Sequence, residues 1–290
     1  MELHYVALRS AQDTYFCNQT GLHYMVEPRK CDSYMVIFVK CTVDDFISRN
    51  AIRKTWKMEA QKFNMRVIFV VGSTPKNTSI ALESLKFDDI LQADFIESYR
   101  HLSLKTYAAL YWYDKNCRKE SVDSYVMLID TDVLFFPNNL DLYLKNEENF
   151  RVKNTIMGNC HDHLSGVWRD NSSKWFMSYD AWPLKSYPPH CQGNGYLMTD
   201  DCPRKLLSTI PGGISNWRWA QKMDHLEDVT FTGLLAALAQ IEKKNVDTML
   251  LFNDTINSKL CNGLITAHSF KPPEEYTSFW FKYWKLLERC

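Results

Sequence analysis

The chain has 290 residues, 46% of them hydrophobic and 23% charged, which is typical of a folded domain and excludes a disordered chain. Its 34 basic and 34 acidic side chains give a formal net charge of zero, without the basic excess that a nucleic-acid backbone requires. We therefore expect a globular protein with no nucleic-acid partner.

Apolar runs and helical spacing alternate along the first half of the chain. Residues 1–32 are polar and irregular, and are predicted to be an N-terminal extension to one domain spanning 33–290. Continuous apolar segments predict buried strands at 33–41, 66–72 and 124–130. Helical patterns occupy 44–61, 79–87 and 102–117. This alternation favours an α/β fold with a mostly parallel sheet, whose ligands bind beyond the carboxyl ends of the strands.

The second half of the chain predicts fewer regular elements. A turn-rich loop enters a short strand in YPPHCQGNGYLMT (187–199). A helix is predicted over 225–241, with Glu227 and Asp228 in its first turn, where acidic side chains complement the helix dipole. WFKYWKLL (280–287) predicts an amphipathic helix that packs through its aromatic side chains.

Cysteines and glycosylation sequons favour an oxidising compartment. The nine cysteines are dispersed and form no CxxC pair, which favours disulfides over a zinc site, with reduced buried thiols as the alternative. Because nine is odd, at least one cysteine is expected to stay free or to pair between chains. Sequons begin at Asn18, Asn77, Asn171 and Asn253. Residues 1–21 contain no apolar run of signal or membrane length, so the chain is either cytosolic or lacks its targeting segment.

Two carboxylates, Asp130 and Asp132, interrupt an apolar stretch where a predicted strand ends. Buried carboxylates need a compensating partner, and three explanations are open. They could bind Mg²⁺ or Mn²⁺ together with a ligand diphosphate. They could be the nucleophile and general acid of a haloacid-dehalogenase-like phosphatase, or they could accept backbone N–H groups in a turn. The later acidic pair, Glu227 and Asp228, favours the first explanation because a nucleotide-sugar transferase needs a separate carboxylate as base.

Six ordered blocks resemble the β-1,3-galactosyltransferase-like family of inverting transferases, which includes β-1,3-N-acetylglucosaminyltransferases and Fringe-type enzymes. The blocks are RNAIRKTW (49–56), DILQADFIESYRHLSLKT (89–106), LIDTDVLFFPNNL (128–140), YPPHCQGNGYLMT (187–199), LEDVTFTG (226–233) and AHSFKPPE (267–274). The chain departs from the family pattern at Thr131, where the family has a third Asp, and at His101-Leu102-Ser103, where the family has Asn-Leu-Thr.

The resemblance implies a GT-A fold, with a Rossmann-like, mostly parallel central sheet flanked by helices and a smaller acceptor-side subregion. It also implies Mn²⁺ (Mg²⁺ as the alternative) and a UDP-sugar donor. A type II Golgi membrane protein with a lumenal catalytic domain is the expected context, although the sequence shows no anchor.

Residue roles follow from the same resemblance. The implied metal ligands are Asp130, Asp132 and His268, and Asp130 is also expected near the donor. The implied nucleotide and donor-sugar residues are Arg53, Lys105, Gly193 and Gly195. The open alternatives are a structural histidine for His268 and solvated helix cations for Arg53 and Lys105. Trp182 could stack on a sugar or pack in the core.

The sequence thus predicts metal-dependent, inverting transfer of a hexose from a UDP-sugar to a hydroxyl of a glycan acceptor on a glycoprotein or glycolipid. Galactose is the favoured sugar, an N-acetylhexosamine is the alternative, and a β-1,3 linkage is implied by the resemblance. Asp228 is the predicted general base, and Glu227 is predicted to orient the loop. The rival interpretations are a DxD metal-dependent phosphatase and a non-catalytic glycosyltransferase-like protein.

Overall fold

A computed structural model describes residues 22–29, 33–74, 77–117, 124–146, 152–210, 223, 225–250, 252, 256–271 and 273–290. The strands are β1 Tyr24–Val26, β2 Met35–Lys40, β3 Met65–Ser73, β4 Ile90–Ile96, β5 Tyr125–Asp130, β6 Leu134–Phe135, β7 Thr155–Cys160, β8 Ser165–Gly166, β9 Ser186–Tyr187, β10 Cys191–Thr199, β11 Glu242–Asn245, β12 Met249–Leu250 and β13 Thr266–Ala267. The α-helices are α1 Phe46–Arg53, α2 Trp56–Lys62, α3 Asn77–Phe87, α4 Leu102–Asn116, α5 Pro137–Lys145, α6 Cys202–Ser208, α7 Ala236–Leu238, α8 Ile256–Lys259 and α9 Tyr276–Leu287. Short 3₁₀ turns cover Tyr99–His101 and Leu260–Asn262, and a π-helical segment covers Val229–Leu235.

Eight strands form the main sheet, in the order β1-β4-β3-β2-β5-β10-β7-β11. Strands β4, β3, β2 and β5 are mutually parallel, and β10 is antiparallel to both β5 and β7. Separate apolar cores cover the two faces of the sheet, which explains the continuous apolar strands. The predicted α/β class is confirmed, with parallel pairing in the centre of the sheet and antiparallel pairing towards β7. In register, Lys40 lies opposite Asp130, so both side chains reach the same edge.

Two predicted helices differ from the structure. The segment 44–61 divides into α1 and α2, because Thr55 bonds back to the Ala51 carbonyl (2.8 Å) at the break. Asp45 caps α1 by accepting from the Ser48 N–H (3.1 Å). The segment 225–241 contains the π-helical turn Val229–Leu235 before α7. Tyr24–Val26, within the predicted extension, pairs with β4, and the proposed domain boundary stays a prediction.

The C-terminal helix α9 is hydrogen-bonded to the backbone at strand β6, which follows the Asp130–Asp132 motif. Its Trp280 indole donates to the Phe135 carbonyl (3.2 Å), and its Tyr276 hydroxyl donates to the Val133 carbonyl. Trp56 in turn donates to the Tyr276 hydroxyl (2.7 Å). Of the aromatics predicted to pack in this helix, Trp280 and Tyr283 are buried, whereas Phe281 is 42% exposed. The hydrogen bonds of Trp280 and Tyr276 fix the backbone just beyond the carboxylates.

A smaller apolar cluster lies apart from the two main cores. Its members are Met177, Trp182, Tyr187, Met223, Leu226 and Val229. Trp182 is 2% exposed and donates to the Ser186 carbonyl (3.0 Å), so core packing is the correct interpretation of this residue. The cluster joins the irregular segment around 165–187 to the segment that carries Glu227 and Asp228.

The disulfides predicted from the dispersed cysteines are present. Cys160 pairs with Cys191 and Cys261 with Cys290, and Cys117 is also disulfide-bonded. Among the described cysteines, the free thiols, which are both buried, belong to Cys41 and Cys202. The sequon residue Asn171 is exposed, whereas Asn18 and Asn253 lie outside the described residues. None of the described helices combines the length and apolarity needed to cross a bilayer.

Candidate active site

Asp130, Asp132 and His268 converge beyond the carboxyl end of β5. One ligand atom from each lies within 4.8 Å of the other two, and all three side chains are only partly buried. Two carboxylate oxygens and one imidazole nitrogen form a donor set that suits Mn²⁺. The predicted ligand set is therefore brought together.

His268 reaches this site through a short strand pairing. Strand β13 lies antiparallel to β6, so Ala267 faces Leu134 and His268 comes next to Asp132. Ser269 has a φ of 75°, a left-handed backbone that non-glycine residues rarely adopt. Its hydroxyl lies 3.1 Å from His268 Nδ1, which leaves Nε2 directed at Asp132 Oδ1, 3.2 Å away. The imidazole is thus oriented for binding through Nε2.

Asp132 is held as a carboxylate. Lys271 Nζ lies 3.0 Å from its Oδ2, although the Lys271 side chain is 71% exposed. Burial disfavours the charged form, but hydrogen bonds from His268 and Lys271 outweigh burial and lower the pKa of Asp132 to about 2. Desolvation raises the pKa of Asp130, with Lys40 opposing it. Both residues would be ligands in the deprotonated form, and a bound divalent cation would favour that form further.

Glu227 is the most enclosed carboxylate of the cleft, at 1% exposure. Its Oε1 accepts from Lys40 Nζ (2.5 Å), and its Oε2 accepts from the hydroxyls of Tyr196 (2.8 Å) and Thr106 (3.2 Å). Burial raises the pKa of Glu227 despite its ion pair with Lys40. Three of the roughly four acceptor positions of this carboxylate are therefore used internally, which suits a positioning role.

Asp228 is partly buried and caps the π-helical segment. Its Oδ1 accepts from the Val229 N–H (2.8 Å), and its Oδ2 accepts from the Gly193 N–H (3.1 Å). Of the acidic pair predicted at the helix start, Asp228 accepts a helix N–H, whereas the hydrogen bonds of Glu227 come from side chains. The backbone hydrogen bonds fix the Asp228 carboxylate without enclosing it. π-Helical turns often occur at functional sites because they redirect neighbouring side chains.

Lys40 joins the two groups of carboxylates. Its ammonium lies 3.1 Å from Asp130 Oδ1 and 2.5 Å from Glu227 Oε1, and it also donates to the Gly193 carbonyl (2.5 Å). Burial disfavours its charge, but the carboxylates of Asp130 and Glu227 outweigh burial and raise the pKa of Lys40. Sequence reasoning missed this residue, although a lysine ending the apolar run SYMVIFVK carries the same signal as Asp130.

The two predicted loop glycines lie in different surroundings. A Cβ on Gly193 would come within 3.1 Å of Glu227 Oε1 and 3.3 Å of Asp228 Oδ2. The backbone of Gly193 therefore approaches the acidic pair more closely than other residues could. Gly195 pairs with Ile129 inside the sheet, and its nearest neighbour would be 3.7 Å from a Cβ. Their roles toward a donor sugar stay predictions.

The two predicted nucleotide-site cations are both buried, so their interpretation as solvated helix cations is wrong. Lys105 donates to the Cys41 carbonyl beyond β2 and to Glu97 (2.8 Å). Glu97 also accepts from the Gly72 N–H (2.7 Å) in β3. Lys105 therefore braces the strand ends at the edge of the sheet that carries the site.

Arg53 forms ion pairs with carboxylates in helix α3 and just after it. Its guanidinium lies 2.7 Å from both Asp89 Oδ1 and Glu83 Oε1, and stacks 3.9 Å from the Phe87 ring centroid. These contacts join α1 to α3 and to the start of β4. Direct contact of Arg53 with a nucleotide stays a prediction.

The family model and the relatives that match this chain are described as galactosyltransferases. Residues 47–247 match a family model described as galactosyltransferase. Beta-1,3-galactosyltransferase 1 of Mus musculus is 32% identical over 216 residues, covering 72% of this chain and 62% of the relative. Beta-1,3-galactosyltransferase 2 of Homo sapiens is 27% identical over 293 residues, covering 94% of this chain and 64% of the relative. The chain thus spans less than two thirds of the length of these relatives.

The crystal structure of the galactosyltransferase LgtC in complex with donor and acceptor sugar analogues aligns with a TM-score of 0.41 at 10% identity. The alignment covers 88% of this chain and 96% of that chain.

Proposed function

Because the chain belongs to the galactosyltransferase family, we propose that it transfers a hexose, with galactose favoured over an N-acetylhexosamine, from a UDP-sugar to a glycan hydroxyl. The reaction is metal-dependent and inverting, and it forms a β-1,3 linkage on a glycoprotein or glycolipid in the Golgi lumen. The observation that carries the proposal is Lys40, whose ammonium contacts both Asp130 and Glu227 and so places both acidic groups in one cleft.

The first acidic group would hold the donor. Asp130, Asp132 and His268 supply the ligand atoms for Mn²⁺, which when bound stabilises the negative charge that develops on a departing diphosphate. These side chains orient the donor at the end of β5. A ligand diphosphate would supply further oxygen ligands.

The second acidic group would activate the acceptor. Asp228 retains solvent contact and takes the proton from the attacking hydroxyl, while its Oδ1 and Oδ2 hydrogen bonds to backbone N–H groups keep it oriented. The hydroxyl oxygen bonds to the anomeric carbon as the bond to the diphosphate breaks, which inverts the configuration. Glu227 is enclosed by three donors and positions Lys40 and the helix start.

A screen of UDP-sugars for Mn²⁺-dependent hydrolysis and transfer tests the proposal. We expect wild-type protein to consume UDP-galactose, and Asp228→Asn to lose roughly 10²–10⁴-fold in rate, the usual contribution of a general base. Asp228→Asn should still bind UDP with Mn²⁺ in calorimetry. Asp162→Asn, whose side chain is fully exposed, is the matched control and should keep full activity.

Three results would contradict the proposal. Undiminished transfer by Asp228→Asn would remove the assigned base. Release of inorganic phosphate from sugar phosphates would favour the phosphatase interpretation. Wild-type protein that binds no UDP in the presence of Mn²⁺ would indicate a non-catalytic relative of the family.

A further inference from the structure

Two tryptophan side chains are exposed side by side on the segment between β8 and β9. Trp168 is 54% exposed and Trp175 is 41% exposed, and their ring centroids lie 5.5 Å apart. Indole rings bury large apolar areas in most folded proteins, so a paired exposure of this size indicates a binding surface.

The segment that carries these indoles is held firmly by other groups. The Arg169 guanidinium donates 2.7 Å hydrogen bonds to the carbonyls of Met177, Trp182 and Leu184. The Met177 N–H donates to the Trp168 carbonyl (2.8 Å), and the Met177 side chain is buried in the small apolar cluster. The indoles are therefore presented by an ordered scaffold and are not needed to build it.

The same scaffold is joined to the segment with the proposed base. Leu226 and Val229, which flank Glu227 and Asp228, belong to the small apolar cluster with Met177. His225 Nε2 donates to the Phe176 carbonyl (3.2 Å), one residue beyond Trp175. The position of the exposed indoles is thus tied to the position of the proposed base.

Tyr99 brings the indoles next to the cleft itself. It follows β4 at the edge of the sheet that carries the site and is 47% exposed. Lys174 Nζ lies 4.6 Å from the Trp175 ring centroid and 5.9 Å from the Tyr99 ring centroid, between the two. Burial, and then the charges of Asp228 and Asp130, raise the pKa of the Tyr99 phenol, as expected for a group close to both carboxylates.

We propose that Trp168, Trp175 and Tyr99 form an aromatic platform that binds the second sugar ring of an oligosaccharide acceptor. The inference rests on the proposed function and extends it to the acceptor class. A pyranose presents C–H groups with partial positive charge on one face, and the faces of aromatic rings are negative. A sugar ring stacked on this platform is the neighbour of the terminal sugar of the acceptor. The reacting hydroxyl of that terminal sugar lies at Asp228. Acceptors of at least two sugars are therefore preferred to single sugars.

Ligand-observed NMR titrations in the presence of Mn²⁺ and UDP test the platform. The probes are two matched pairs: lactose with methyl β-galactoside, and diacetylchitobiose with methyl β-N-acetylglucosaminide. All proteins carry Asn171→Gln, so that no glycan at this sequon competes from the same segment. We expect wild-type protein to bind the disaccharide of at least one pair about fivefold to tenfold more tightly than its monosaccharide, as one aromatic stacking contact allows.

Trp168→Ala and Trp175→Ala should each remove this preference, and Trp168→Phe should retain much of it. Phe281→Ala, which removes an aromatic ring of 42% exposure from α9, should leave the preference unchanged. Calorimetric affinity for UDP with Mn²⁺ tests the proposed function separately, since neither indole belongs to the ligand set of Asp130, Asp132 and His268.

Two outcomes overturn the inference while UDP binding is intact. One is equal affinity of wild-type protein for the monosaccharide and disaccharide of both pairs. The other is a disaccharide preference that survives both alanine substitutions.

Discussion

The cleft contains two charge clusters that differ in how their carboxylates are balanced. In the outer cluster, Asp132 meets His268 and the 71% exposed Lys271. In the inner cluster, Glu227 meets Lys40, whose side chain is 2% exposed. An exposed ammonium is easily displaced, whereas a buried one is a permanent part of the fold. In the proposed function, the outer cluster would exchange its cation for a metal ion, and the inner cluster would keep its own.

The difference in exposure between Lys271 and Lys40 favours separate roles for the two clusters. A metal ion can replace Lys271 beside Asp132 without disturbing the core, because the lysine returns to solvent. Lys40 cannot leave in the same way, since it bonds simultaneously to Asp130, Glu227 and the Gly193 carbonyl. Exchange would suit the proposed metal site, and permanence would suit the alignment of the proposed base.

The largest expected effect is on stability, from Lys40→Met. The substitution keeps an unbranched side chain, which ends before the position of the ammonium, and leaves the buried Glu227 without its cation. Breaking a buried pair in this way lowers the free energy of unfolding by about 3–5 kcal/mol, because an uncompensated charge stays in the core. Urea denaturation monitored by circular dichroism measures the loss.

A double variant separates the charge from the packing in that experiment. Lys40→Met with Glu227→Gln removes both charges and should recover much of the lost stability, because an amide is less costly to bury than a carboxylate. A Lys40→Met protein as stable as wild type would mean that the inner cluster is not held by its ion pair.

The next largest effect concerns the outer cluster. Asp132→Ala removes the carboxylate on which His268 and Lys271 converge. We expect Mn²⁺-dependent UDP binding to weaken by about 100-fold or more, since changes in supporting residues alone cost 10–100-fold in metal affinity. Isothermal calorimetry with UDP and Mn²⁺ measures the change. Unaltered affinity would show that the three converging ligands do not hold the ion.

The strands and the metal motif could be predicted from the sequence because their signals are local. An acidic residue in an apolar strand, such as Asp130, is visible without a structure, and Lys40 at the end of its neighbouring strand carried the same signal. His268 carried no such signal, because β13 brings it to Asp132 from far along the chain. It was identified through the family resemblance alone.

The acceptor side could be predicted least, for a different physical reason. Its segments follow no helix or strand period, and the carbonyl bonds of Arg169 and a small apolar cluster hold them together. Hydrophobic periodicity identifies helices and strands, in which apolar residues recur at a regular spacing along the sequence. The residues that hold these segments together have no such regular spacing. The exposed pair Trp168 and Trp175 therefore could not be told from core residues in the sequence.

A smaller effect should come from Gly193→Ala, which acts on the geometry of the inner cluster without removing a charge. The new Cβ would lie 3.1 Å from Glu227 Oε1 and 3.3 Å from Asp228 Oδ2, so these groups must shift by a few tenths of an ångström. We expect kcat to fall about tenfold, because small displacements of a catalytic group slow the reaction. Steady-state kinetics on UDP-galactose measure the change.

Gly195→Ala is the matched control for that substitution, because its Cβ would meet Ile129 at 3.7 Å, an ordinary contact. Its kcat should stay within about twofold of wild type, as no catalytic group has to move. Equal losses in the two variants would trace the effect to the strand and not to the acidic pair.

The smallest expected effect tests the contrast between the two lysines directly. Lys271→Met removes an ammonium that contacts Asp132 but is mostly in solvent, and such pairs contribute about 0–1 kcal/mol to stability. Unfolding by urea should therefore change little, in contrast to Lys40→Met. Mn²⁺ affinity in the presence of UDP should stay equal or rise about twofold at low salt, because a competing cation has been removed. A loss of stability as large as that of Lys40→Met would mean that the outer cluster, too, depends on a permanent cation, and the distinction between exchange and permanence would fail.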